Sequence, residues 1–297
     1  GGPSRNIGPF VRVVISTGVL PRSYGAGLVA GFIRKSLLGA LTAIALGYLG
    51  FVGYLYGAQE SLIFNGHVLP ADHEFQTALP YEELSIESNG ATLNGLHFKQ
   101  ENPRGLVFFL RGNSGNLQSW TTGVEFYRTV NYDMFMFDYR GSGKTTGDIE
   151  SAAPLHADVR AAWDVIAPQY EGKPIVLYGR SLGAAFATRL ATEVEPDLLV
   201  LVSPFQSMLS MAQSRYPFVP SQILRYPFAN DAHIAEVNAP VLLVHGDRDW
   251  FIPLSHSETL LERARAPAEL LVIKGAGHND IHRFPTYLNG LAAALPN

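Results

Sequence analysis

The chain has 297 residues, of which 47% are hydrophobic, 16% charged and 11% aromatic, a composition that buries a core and excludes an intrinsically disordered chain. A net charge of −4 argues against nucleic-acid binding, which needs a strong basic stripe. The absence of cysteine excludes disulfides, thiolate metal sites and a cysteine nucleophile. Charge is unevenly placed: residues 1–59 carry Arg5, Arg12, Arg22, Arg34 and Lys35 and no acid, so the acidic excess belongs entirely to the remainder.

Residues 36–59 form an uncharged, proline-free stretch with Tyr48, Tyr54 and Tyr56 towards its end. As a helix it spans about 36 Å, enough for a hydrocarbon core of about 30 Å, with tyrosines where the headgroups lie. The expected organisation is a basic cytoplasmic segment 1–35, a transmembrane anchor 36–59, and a globular domain 60–297. A cleaved signal peptide is the alternative, but the span is long for one and Tyr56 occupies a position that cleavage near Ala58 would require to be small. All five early charges are positive, and no further Lys or Arg occurs until Lys99. The positive-inside rule therefore places the globular domain outside the cytoplasm, in the periplasm of a bacterial host.

After Glu60, short apolar runs occur at 83–86, 93–98, 106–110, 134–137, 175–178, 198–202, 241–244 and 270–273. From 106 onward they alternate with helix-like stretches at 120–129, 155–167, 182–193, 255–265 and from about 284. This alternation predicts an α/β fold with an eight-stranded, mostly parallel sheet flanked by helices and an antiparallel start. Residues 203–239 break the pattern with two Tyr-Pro-Phe repeats and no strand signal, and are expected to form a small cap or lid.

Gly179-Arg180-Ser181-Leu182-Gly183 follows a strand and precedes an Ala-rich helix. That is the context in which G-x-S-x-G presents a serine hydroxyl at the sheet edge, with the helix N-terminus offering free N–H groups to an oxyanion, the Leu182 N–H first among them. Serine needs a base, and His278, in a small-residue loop after the last strand, is the candidate. The base in turn needs a carboxylate, and Asp247 and Asp249 both lie in the loop one strand earlier. His278 and His282 are spaced like part of a zinc helix, but Asn279 follows His278 and no third ligand is evident; no metal and no cofactor is expected. The run 138–145 ends like a phosphate-binding loop, yet Asp138 stands where its first glycine belongs, so nucleotide binding is not expected.

Together R-G-N-S-G-N, D-Y-R-G-S-G-K, G-R-S-L-G-A, H-G-D-R-D-W-F-I-P and G-A-G-H-N-D-I resemble, in order and spacing, the α/β-hydrolase superfamily. The subgroup they look most like contains membrane-anchored serine hydrolases of the depalmitoylase and acylglycerol-lipase kind. The resemblance implies Asp249, in D-x-x-I-P, as the acid, leaving Asp247 to shape the turn. It also implies a second oxyanion donor at the Asn113 N–H; Arg111 stands where the family pattern has histidine. The expected activity is hydrolysis of apolar or lipid-like esters or thioesters, acylated proteins included, through an acyl-enzyme. The alternative is an inactive, membrane-tethered binding protein of the same fold. Oligomeric state is not legible.

Overall fold

The structure, a computed structural model, describes Gly2 and residues 24–296, with side chains from Leu28 onward. Arg5, Arg12 and Arg22, on which much of the basic N-terminal segment rests, lie outside the described residues. The chain divides into a unit ending at Phe51 and a larger one, Val52–Asn297.

Among the described residues of the first unit, those from Tyr24 onward lie in one helix, α1 (Tyr24–Ile63), whose last turns belong to the second unit. It starts earlier and ends later than the uncharged stretch, because Arg34, Lys35 and Glu60 are good helix formers that do not interrupt it. From Leu28 to Ile63 it is long and apolar enough to cross a membrane, and Leu37, Leu41 and Ile44 are exposed.

In the second unit eight strands form one sheet: β1 (Glu82–Ser88), β2 (Ala91–Phe98), β3 (Gly105–Leu110), β4 (Tyr132–Phe137), β5 (Ile175–Arg180), β6 (Leu198–Val202), β7 (Val241–Gly246) and β8 (Ala268–Ile273). Their spatial order is β8-β7-β6-β5-β3-β4-β2-β1. The β1–β2 and β2–β4 pairs are antiparallel and the rest parallel. Asn89 and Gly90, both at positive φ, make the two-residue turn that joins β1 to β2, as an Asn-Gly pair favours. The eight runs read from the sequence correspond one for one to these strands.

Because side chains alternate along a strand, β3 sends Leu106, Phe108 and Leu110 into one core layer and Val107 and Phe109 into the other. The first layer is closed by α2 (Ala152–Ile166), α3 (Leu182–Leu190) and α5 (Ser255–Arg263). The second is closed by α6 (Pro285–Ala294) and by the short helical turns Leu117–Trp120 and Glu125–Thr129. The single helix expected over 120–129 is thus two pieces, separated where Gly123 takes φ +93°. Between β6 and β7 lie α4 (Met208–Arg215), the 3-10 turns Ser221–Ile223 and Ile234–Glu236, and the short helix Asn230–His233. In chain order α4 lies between α3 and α5.

Candidate active site

The loops that leave the C-terminal ends of β3, β5, β7 and β8 converge on one cleft of about 460 Å³. That is within the range of about 300–1,000 Å³ usual for small-molecule sites. Asn113, Ser181, His278, Trp120, Arg180 and Phe251 are among its lining residues.

Ser181 is the pivot between β5 and α3. It holds φ 52° and ψ −116°, a strained conformation for a residue with a Cβ. The flanking glycines serve another need. A Cβ on Gly179 would lie 2.6 Å from the Ala184 Cα, and one on Gly183 would collide with the Leu110 carbonyl oxygen. Their lack of a side chain permits close approach, while the strain is carried by Ser181 itself. The Ser181 N–H donates to the Val202 carbonyl at 2.9 Å, which fixes the elbow to the neighbouring strand. Leu182 begins α3, so its N–H has no intrahelical acceptor.

His278 Nε2 lies 3.0 Å from Ser181 Oγ, and His278 Nδ1 lies 2.7 Å from Asp249 Oδ2. A carboxylate only accepts, so Nδ1 carries the proton and Nε2 is free to accept from the serine hydroxyl. The carboxylate is held in turn: Asp249 Oδ1 accepts the N–H groups of Phe251 at 3.0 Å and Ile252 at 2.8 Å. Burial works to raise the Asp249 pKa, but hydrogen bonding to His245 and His278 and the Ile252 N–H outweigh it and hold the carboxyl well below the usual carboxylate range. His245 is buried at the end of β7, with Nδ1 2.7 Å from Ser257 Oγ and Nε2 2.8 Å from the Ile252 carbonyl. The Nε2–H is shared: the Ile252 carbonyl is the closer acceptor, and Asp249 Oδ2, 3.4 Å away, takes the weaker part of the bond. The sequence reading passed over His245; its signal was a histidine at the start of the H-G-D run, directly under the acid loop. Asp247, the competing acid, accepts the Gly275 N–H at 2.7 Å.

The 111–116 loop is braced from two sides. Asn113 Nδ2 donates to the Ile63 carbonyl at 3.1 Å and Asn116 Nδ2 to the His67 carbonyl at 3.0 Å. Arg111, fully buried, ion-pairs with Asp138 at 2.8 Å, donates to Ser142 Oγ and lies 4.7 Å from the Tyr139 ring centroid. Burial raises the Asp138 pKa, and Arg111 and the Leu117 N–H counter it. Asp138 thus packs an arginine where a nucleotide loop would need a glycine, and a Cβ on Gly143 would strike its carboxylate. Both ring nitrogens of His278 are committed to Ser181 and Asp249, which leaves none for a shared metal site with His282.

Trp120, Arg180 and Phe251 had no sequence signal. The Arg180 guanidinium lies 5.2 Å from the Trp120 ring centroid and donates to the His278 carbonyl at 3.1 Å. The Phe251 ring centroid lies 5.1 Å from that of His278.

The sequence profile of a family described as serine aminopeptidase, S33, matches residues 101–226. An uncharacterized protein of Mycobacterium tuberculosis is 30% identical over 263 residues, covering 86% of this chain and 92% of its own. Human alpha/beta hydrolase domain-containing protein 17B is 32% identical over 195 residues, covering 64% of this chain and 66% of its own. Among solved structures, an esterase of Pyrococcus furiosus superposes with a TM-score of 0.62 at 20% identity, covering 78% of this chain and 96% of that one. The ferulic acid-bound Est1E of Butyrivibrio proteoclasticus superposes with a TM-score of 0.56 at 19% identity, covering 71% and 95%. With the strand order, the serine elbow and these relatives in view, the chain belongs to the α/β-hydrolase superfamily.

Proposed function

We propose that this hydrolase cleaves carboxylic esters or thioesters with an apolar acyl part, using Ser181 as nucleophile, His278 as base and Asp249 as acid. The observation that carries the reading is the continuous line of contacts from Ser181 Oγ through His278 to Asp249, at 3.0 and 2.7 Å. Ser181 Oγ attacks the acyl carbon as its proton passes to His278 Nε2, and Asp249 stabilises the imidazolium. The N–H groups of Leu182 and Asn113 receive the oxyanion. Collapse of the tetrahedral intermediate expels the alcohol or thiol, which takes the proton from His278. Water, deprotonated by His278, then attacks the acyl-enzyme; the acid leaves and Ser181 regains its proton. No metal or cofactor enters any step.

An ethoxy fluorophosphonate should label the wild-type protein and leave Ser181→Ala unlabelled. Loss of the serine should also lower kcat by about 10⁴-fold or more. Equal labelling of both proteins would reject Ser181 as nucleophile. A protein that retains the fold without turnover, binding an ester at the cleft, is the second reading, and an unlabelled wild-type protein would favour it.

In the same proposal α1 anchors the enzyme in a membrane through residues 36–59, with 1–35 in the cytoplasm, the domain 60–297 outside it, and 203–239 forming a small cap. The apolar, exposed face of α1 supports the anchor. Extraction by alkaline carbonate would remove it, and protection of the domain from protease in spheroplasts would reverse the orientation.

A further inference from the structure

A second cavity, of about 250 Å³, lies beside the reaction cleft, and Phe251 lines both. Its walls come from two elements of the second unit. The last turns of α1 supply Leu55, Leu62 and Ile63, and α4 with the turn after it supplies Met208, Met211 and Ile223. Phe251 is common to both walls. One ring contact is with His278 at 5.1 Å between centroids, and on the cavity side the Arg215 guanidinium lies 5.1 Å from its centroid.

The end of α1 is built into this wall. Gln59, 7% exposed, has its amide occupied: Nε2 donates to the facing Ile223 carbonyl at 2.8 Å and to the Tyr56 carbonyl of its own helix at 3.3 Å, and Oε1 accepts the Arg225 N–H at 2.7 Å. One residue on, Glu60 pairs with the Arg225 guanidinium at 2.8 Å and accepts from the Tyr226 hydroxyl at 2.9 Å. With the amide of Gln59 consumed in this way, that side chain offers little to a polar ligand.

We infer that this cavity is the acyl-chain subsite of the enzyme, with the C-terminal turns of α1 as one wall and Phe251 as the gate between chain and reaction centre. The inference rests on the serine-hydrolase reading and adds the substrate class: esters of medium to long fatty acids. The chemistry assigns the acyl half to this side. The acyl group stays bound through both half-reactions, so an apolar chamber retains it, while the alcohol must depart. The remainder of the cleft, bordered by Arg180, Asn279 and Asp280 beside Trp120 and Trp250, is the exit for the alcohol or thiol. Each methylene buried in such a chamber strengthens binding roughly fourfold, so preference grows with chain length until the chamber is full. The helix that carries the apolar span thereby also measures the substrate.

The test uses the full chain in nanodiscs and p-nitrophenyl esters from acetate to dodecanoate, which share one leaving group. In the wild type kcat/KM should rise at least tenfold from acetate to decanoate. Met211→Trp, which fills the chamber from α4, and Leu55→Trp, which fills it from α1, should each lower the decanoate-to-acetate ratio at least tenfold. Met211→Ala should move the preferred ester to a longer chain and decides the matter if a tryptophan variant does not fold. A ratio within twofold of wild type in both tryptophan variants, or a flat chain-length profile in the wild type, overturns the subsite. A response to Met211→Trp without one to Leu55→Trp overturns the role of α1. A wild-type protein that labels with fluorophosphonate and cleaves acetate, yet ignores chain length, loses this inference alone. A protein that neither labels nor cleaves any ester loses the serine-hydrolase reading as well.

Discussion

Asp247 Oδ1 accepts the N–H of Gly275 at 2.7 Å, so the loop after β7 is tied to the loop after β8 three residues before His278. Two residues further on, Asp249 reaches the imidazole itself at 2.7 Å. The two aspartates of one loop have divided the work: one ties the loops together, the other holds the His278 imidazole.

That division predicts a contrast. Asp249→Asn should lower kcat by about 10⁴-fold, because an amide favours the wrong histidine tautomer and cannot stabilise an imidazolium. Asp247→Asn keeps an oxygen acceptor for Gly275 and should remain within tenfold of wild type, as roughly 1 kcal/mol of hydrogen bonding is at stake. Steady-state kinetics on a short ester, beside melting temperatures, separate the two. Comparable losses would mean that the acid is misassigned.

Ser181 sits at φ 52°, where a Cβ is strained. Ser181→Gly should therefore raise stability by about 1 kcal/mol relative to Ser181→Ala, the relief of strain exceeding the entropic cost of glycine. Denaturant titration of the two inactive variants reads this directly. Equal midpoints would show that the elbow is not strained.

Arg111 is buried with Asp138, and removing one member of such a pair leaves an uncompensated charge. Arg111→Met should cost about 3–5 kcal/mol, and Asp138→Asn added to it should restore part of the loss. If the double variant is no more stable than Arg111→Met, the charge is not what destabilises it.

His97 on β2 is buried, its Nε2 2.7 Å from the Tyr170 hydroxyl, which in turn donates to Asp133. Burial first, and Lys99 second, push its pKa down from 6.5 to about 4, against the pull of Glu82. The folded state holds this ring neutral, whereas the unfolded chain protonates it below pH 6.5. Its contribution is therefore fully present above about pH 6.5. It declines as pH falls to about 4, by roughly 3 kcal/mol in all. His97→Gln should flatten the loss of stability across that window, measured by thermal melts at fixed ionic strength. An unchanged slope would place the titration elsewhere.

The strands were legible because buried parallel strands are written as short apolar runs between turn residues, and β3, β6 and β7 carry little else. The serine elbow and the histidine loop were legible for a related reason, since close approach at Gly179 and Gly183 leaves its mark in the sequence. What remained hidden depended on distant partners. Arg111 looked like a departure until Asp138, 27 positions on, appeared beneath it. Phe251 and Gln59 bear no local sign of their roles, because the surfaces they meet come from α4 and from residues 223–225. The break at Gly123 was hidden as well, since apolar periodicity continues across it.

Ser181 and His278 are 97 residues apart in the chain, and the loop that carries His278 follows β8, the edge strand paired with β7. In the proposed mechanism a chain that ends before residue 278 carries the serine elbow but nothing to take its proton, so it should be silent towards esters however much of the sheet it has formed.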